Sequence, residues 1–186
     1  MEKTRKMMPI GPLMIEHRLI ERMIRQITRE LERIGRTGEA DIPFLQGAVE
    51  FIRVYADHCH HGKEENILFR ELDKKDIPPE ERRIMEELIE DHIYGRSKVA
   101  EIVAGMAQYT AGDATALASI VAALTELIEF YPKHIEKEDK HFFFPCMDYF
   151  TRDEQDRMLA EFYAFYRNMI HEKYRKIVDQ VEARFV

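Results

Sequence analysis

The residues best equipped for chemistry are two histidine–glutamate pairs spaced four apart. One lies in residues 56–69, ADHCHHGKEENILF, as His60 and Glu64, and the other in residues 131–145, YPKHIEKEDKHFFFP, as His134 and Glu138. Residues four apart on a helix stack about one turn above each other, so each pair offers a nitrogen and an oxygen donor on one face. Two further histidines fall on apolar stripes. His17 continues the series Leu13, Ile20, Ile24, Ile27, Leu31 and Ile34, and His92 continues Ile84, Leu88, Gly95, Val99, Ile102 and Met106. Together His17, His60, Glu64, His92, His134 and Glu138 place four imidazoles and two carboxylates on the interior faces of four helices. In an apolar core such groups are costly unless they are hydrogen-bonded or coordinated. Two divalent ions would satisfy them: imidazole with carboxylate suits iron, manganese or zinc, and paired carboxylates can bridge ions about 3.5–4 Å apart.

Taken singly, each of these residues has a plainer reading. A histidine on an apolar stripe is more often a hydrogen-bonded core residue, and a single His-x-x-x-Glu is more often a surface pair. The metal reading rests on their conjunction and on the repeated order of His, then His-x-x-x-Glu. His58, His61, His141 and His171 are read as groups outside the ligand set or at the surface, as are Glu65 and Asp139. The helical wheel alone leaves open which of His58, His60 and His61 points inward, because both faces of that helix carry apolar residues.

The elements that must position these groups are helices. The first stripe runs over about 20 residues or more from Leu13. Gly38 stops it, Asp41 is the expected N-cap of the second helix, and Pro43 is tolerated in its first turn. The second helix extends from about Ile42 to Leu72 and ends at DKKDIPP; the third runs from about Pro79 to Tyr109 and ends at TAGD. On the third, Gly95 lies one turn past His92 and suggests a close approach there. The fourth reads Leu117, Ile120, Leu124, Leu127, Tyr131, His134, Glu138 without a break, and Pro132 is expected to kink it just before the ligands. A break near Pro145 and the capping box Thr151-x-x-Glu154 introduce a fifth helix rich in aromatic residues. Short connections favour antiparallel neighbours. The expected fold is all-α: an N-terminal arm at 1–12, an up-down-up-down four-helix bundle at 13–150, and a C-terminal helix at 151–186 packed on it.

The totals agree with that architecture. The chain has 186 residues, 45% apolar and 34% charged, which suits a single soluble helical domain. A formal net charge of −7 argues against a nonspecific nucleic-acid partner. No apolar run approaches the roughly 18–20 residues of a membrane span, and the basic start lacks the apolar stretch of a secretory signal, so a cytoplasmic protein with no membrane partner is expected. Two cysteines, Cys59 and Cys146, are too few for a disulfide framework and read as buried apolar-like residues.

The order His17, His60-x-x-x-Glu64, His92, His134-x-x-x-Glu138 resembles the hemerythrin-like (HHE cation-binding) family, over roughly residues 13–145. HHGKEENILF and HIEKEDKHFFFP look like its two His-x-x-x-Glu blocks. The resemblance favours His60 and Glu64 over His61 and Glu65, because in similar sequences the bridging glutamate lies four or five residues before a Leu-Phe pair. It implies two iron ions, oxo- or hydroxo-bridged, with zinc or manganese as substitutes. Glu64 and Glu138 would bridge, and His17, His60, His92 and His134 would be terminal ligands. The implied partner is a small diatomic ligand such as O2 or NO, bound or sensed; the alternatives are a di-iron oxidoreductase, oxidase or peroxidase-like, and an iron storage or repair protein. Oxygen carriers of the family take a fifth histidine from the third helix, where this chain has Leu88 and Arg96. Reversible carriage is therefore less expected than sensing or redox chemistry. Water, an exogenous ligand, His58, His61 or His171 could fill the position.

Overall fold

The computed structural model describes residues 7–182, with side chains as far as Met169 apart from Asn168. The expectations for residues 1–6 and for the His171 side chain lie outside the described residues. Among the described residues there is no strand. Helix α1 spans Ile10–Thr37. Helix α2 begins as Ile42–Phe51, widens into π-helical turns over Ile52–His61 and Glu64–Phe69, and closes with Arg70–Leu72. Helix α3 spans Pro79–Thr110. Helix α4 runs as Ala116–Lys137, passes through a π-helical turn at Glu138–Phe142 and ends with Phe143–Met147; α5 spans Arg152–Glu182. Helices α1 to α4 form the bundle, and α5 lies against the widened part of α2.

Local chemistry explains most of the boundaries. Gly38 adopts a left-handed φ of 71° and its N–H reaches the Ile34 carbonyl at 2.8 Å, a C-terminal stop that side chains with a Cβ adopt reluctantly. Asp41 caps α2 by accepting from the Phe44 N–H at 3.0 Å. Thr151 and Glu154 close the capping box of α5, the Thr151 N–H donating to the Glu154 carboxylate at 2.8 Å. Two expectations change. Helix α1 starts at Ile10, inside the stretch read as an arm, because Pro12 falls in a first turn whose N–H groups need no intrahelical acceptor. Nor does Pro145 end α4: Phe142 departs to φ −119°, so Pro145 sits in the opening turn of Phe143–Met147, where a missing donor costs nothing.

The core is built in two apolar clusters with a polar layer between them. One holds Ile20, Ile27, Leu45, Ile52, Ile102, Ile120, Leu127 and their neighbours. The other holds Leu13, Leu68, Leu72, Leu88, Phe142, Phe143 and Phe162 among others. His17 follows Leu13 and precedes Ile20, and His92 follows Leu88 and precedes Val99, so on each helix the stripe crosses from one cluster to the other at a histidine. Helices α3 and α4 make the most extensive pairing, and Gly105 sits in that seam. A Cβ there would stand 2.7 Å from Ile120 Cγ1. Gly105→Ala is therefore expected to lower stability by about 1–2 kcal/mol in urea unfolding, overpacking outweighing the helix-propensity gain.

Candidate metal centre

The six residues singled out by the sequence meet in the polar layer, each 2% exposed or less. Glu138 lies between two groups of histidines: one oxygen is 3.0 Å from His17 Nε2, and the other is 3.3 Å from His134 Nε2 and 3.8 Å from His92 Nε2. Glu64 does the same, with one oxygen 3.3 Å from His60 Nε2 and the other 3.4 Å from His92 Nε2. Each carboxylate thus faces both halves of the centre. Glu65, the alternative on the wheel, is half-buried outside this cluster and accepts from His92 Nδ1 at 2.7 Å.

Eight of these donor atoms test whether the site suits a metal. The Nε2 atoms of His17, His60, His92 and His134 and all four oxygens of Glu64 and Glu138 are sealed from solvent without a hydrogen-bond partner. Buried polar atoms left in that condition are expensive. Convergent imidazole nitrogens and carboxylate oxygens are the donors that borderline divalent ions prefer, so the residues fit metal binding.

A fifth imidazole joins them. His61 is buried and stacks on His92, with ring centroids 3.9 Å apart and 10° between planes, and its ring lies 5.6 Å from that of His134. His61, His92 and His134 bring one donor atom each to within 4.8 Å of one another, as do His17, His60, Glu64 and Glu138. The reading of His61 as a residue outside the ligand set or at the surface is thus corrected as to burial. It turns inward beside His60 because α2 is π-helical there, and a widened turn does not follow the angular step of an α-helical wheel. His58 and His141 are exposed.

Every one of the five histidines has a carboxylate behind its Nδ1. Asp139 stands 2.8 Å from His17, Glu16 3.0 Å from His60, Glu65 2.7 Å from His92, Asp91 3.2 Å from His134 and Asp57 3.4 Å from His61. With a metal bound, an Nδ1–H that donates outward would fix the tautomer and leave the Nε2 lone pair for the ion. Cations hold the carboxylates in turn: Arg18 pairs with Asp139, Lys63 with Glu16, Lys137 with Asp91 at 2.8 Å, and Arg96 with Asp57 at 2.8 Å and Glu65 at 2.7 Å.

Four of these supports form a closed ring. Helix α1 supplies Glu16 to His60 of α2, α2 supplies Glu65 to His92 of α3, α3 supplies Asp91 to His134 of α4, and α4 supplies Asp139 to His17 of α1. On α1 and α3 the supporting acid immediately precedes the histidine, and on α2 and α4 it immediately follows the glutamate. Successive residues turn about 100° round a helix, and reversing the helix reverses that turn as seen from one end. Taking the residue before on one direction and the residue after on the other therefore aims all four acids the same way round the bundle. The sequence signal is an acid adjacent to one inward ligand on each helix, beside His17, Glu64, His92 and Glu138: the sequence reading names Glu65 and Asp139 but misses Glu16 and Asp91, and it misses Asp57, which lies four residues before His61.

The charges are tightly interlocked. Burial disfavours a charged His17, but the hydrogen bond to Asp139 and the negative charge of the nearby Glu138 outweigh it and raise its pKa to about 10. Burial likewise opposes charge on His92, which Glu138, Glu64 and Glu65 nevertheless raise to about 11. Glu138 would be pushed up by burial, yet His134 and His17 hold it well below the usual carboxylate range. His61 goes the other way: burial, then the neighbouring His92, push it well below the ordinary imidazole value.

A bundle of four antiparallel helices with histidines and carboxylates converging at mid-core defines a metal-binding helical protein. The chain belongs to the hemerythrin family, since the model of the hemerythrin HHE cation-binding domain matches residues 8–144. No curated protein and no solved structure matches it. Among the described residues no helix is long and apolar enough to cross a membrane.

Proposed function

We propose that the centre holds two iron ions and that the protein binds or senses dioxygen or nitric oxide. The observation that carries this reading is the set of eight sealed, unpartnered donor atoms, in which each of two glutamates presents one oxygen to each half. His17 and His60 would hold one ion, His92 and His134 the other, with Glu64 and Glu138 bridging and His61 as an added nitrogen donor on the second. A ferrous pair, when bound, supplies an open coordination position for a diatomic molecule and two electrons. The chain's own residues do the rest. The outer carboxylates orient the imidazoles, Phe143 lies flat beside His17 at 5.6 Å, and Phe130 beside His134 at 5.2 Å, so the centre is enclosed by apolar rings that limit water.

The donor count on the two halves is unequal, which supports ligand binding rather than a purely structural role. The half at His17 and His60 has one imidazole fewer and thus the more open coordination. Anaerobic ferrous loading should give two irons per chain, and admission of air or nitric oxide should change the absorption spectrum in proportion to iron. A stoichiometry well below two, or a spectrum indifferent to both gases, would overturn the reading. Sustained turnover with an added reductant would instead mark the same centre as an oxidoreductase.

A further inference from the structure

We propose that His61 is a displaceable ligand: it can turn away from its half of the centre into an adjoining cavity, and a small exogenous ligand, a diatomic molecule or a small anion, then takes its place. This rests on the two-metal reading above and adds a second exogenous-ligand position to it.

Four observations distinguish His61 from the other histidines. First, its support lies outside the ring: Asp57 is on the same helix, one turn back, whereas His17, His60, His92 and His134 are each clamped from a neighbouring helix. Second, that support is the longest of the five, 3.4 Å against 2.7–3.2 Å, and Asp57 is also engaged by Arg96 at 2.8 Å. Third, the sealed Nε2 atoms belong to the other four histidines. His61 instead lines a cavity of about 210 Å3 between α2 and α3, together with Asp57, Gly95, Arg96, Val99 and Tyr131. Fourth, His61 closes the first π-helical stretch of α2 and is followed by Gly62, so the backbone leaves α-helical geometry where the side chain would have to move.

The cavity also holds what a displaced imidazole would need. Tyr131 is 2% exposed, lines the cavity, and makes no hydrogen bond among the described residues. A buried ring nitrogen that gives up a metal must find another partner, and the Tyr131 O–H can donate to it. Gly95 also lines the cavity, and a Cβ there would meet the Phe130 ring at 3.4 Å. No bond other than coordination changes in this exchange: the imidazole leaves with its lone pair, the incoming ligand supplies one, and no electron is transferred.

The test uses the full chain loaded anaerobically with cobalt(II), with sodium azide as the probe. Cobalt content, azide stoichiometry from the visible spectrum, and the hyperfine-shifted imidazole N–H resonances are read on the same samples. The wild type should bind two cobalt ions and take up azide in two steps, and the second step should remove one of five shifted N–H signals. In His61→Ala both positions are open from the start, so the second step, referred to the cobalt bound in the same sample, should tighten by about tenfold or more. Tyr131→Phe should fold as the wild type does, keep two cobalt ions and weaken only the second step, by about three- to tenfold for one lost hydrogen bond. Saturation of the wild type at one azide, or five shifted signals persisting through both steps, would show His61 fixed and overturn the proposal. Identical azide steps in the wild type and Tyr131→Phe would overturn the part given to Tyr131. Fewer than two cobalt ions in the wild type would instead defeat the two-metal reading, and the proposal with it.

Discussion

Glu138→Ala is expected to empty both halves of the metal centre, reducing metal content from two ions per chain to fewer than one. His17→Ala should weaken only the half it shares with His60. The difference follows from where the oxygens point: Glu138 offers one to His17 and the other to His134 and His92, whereas His17 faces one half alone. The same substitution is expected to cost the metal-free protein about 3–5 kcal/mol, because removing one partner of a buried ion pair leaves charged His17 and His92 without their shared counter-charge. Glu138→Gln keeps the volume and one acceptor and should lie between. Elemental analysis after loading and urea unfolding of metal-free protein check both arms. Retention of two ions by Glu138→Ala would remove Glu138 from the bridging role.

Metal uptake at pH 7 is expected to release about two protons per chain. In the metal-free protein His17 titrates at about 10 and His92 at about 11, so both carry a proton at neutral pH that a metal must displace. Affinity should therefore rise with pH between about 7 and 9, roughly tenfold per pH unit for each displaced proton. Stability of the metal-free protein should move in the opposite direction. Each histidine binds its proton more tightly folded than unfolded, so its contribution is complete below about pH 6.5 and disappears as pH rises through the folded value. Glu138, held low, contributes above the ordinary glutamate range and loses its contribution as pH falls through its depressed value. Calorimetric titration in buffers of different ionisation enthalpy counts the protons; a count of zero at pH 7 would contradict the charge state assigned to His17 and His92.

The helices and four of the six inward residues, His17, His92, His134 and Glu138, are legible because they obey one rule, apolar stripes at steps of three and four, which the histidines interrupt without shifting; His60 and Glu64 are chosen over His61 and Glu65 by the family resemblance alone. His17 and His92 needed nothing more. Legibility failed where the helix itself departs from α geometry. The π-helical stretches at Ile52–His61 and Glu138–Phe142 carry ligands or their supports, and an extra residue accommodated in a turn rotates whatever follows, so His61 could not be placed by wheel. The outer carboxylates were hidden for another reason. Glu16 and Asp91 look like ordinary surface acids until the neighbouring helix is known, and their partners lie 44 and 43 residues away in sequence. The kink anticipated at Pro132 is a lesser device: Pro132 lies within α4, and the change of helical geometry comes at Glu138.

The ring of outer carboxylates makes the bundle chiral at the level of its chemistry. Four histidines and two glutamates pointing at a common centre would be equally content if the helices were arranged clockwise or anticlockwise. Glu16, Glu65, Asp91 and Asp139 would not be, because each leans to one side of its own helix and finds a histidine only if the next helix in sequence stands there. In the mirror arrangement Glu16 would meet α4 instead of α2, and all four imidazoles would lose the group that orients them. The supporting shell therefore selects the topology as well as tuning the metal, and folding to the wrong hand would cost four charge-assisted hydrogen bonds at once.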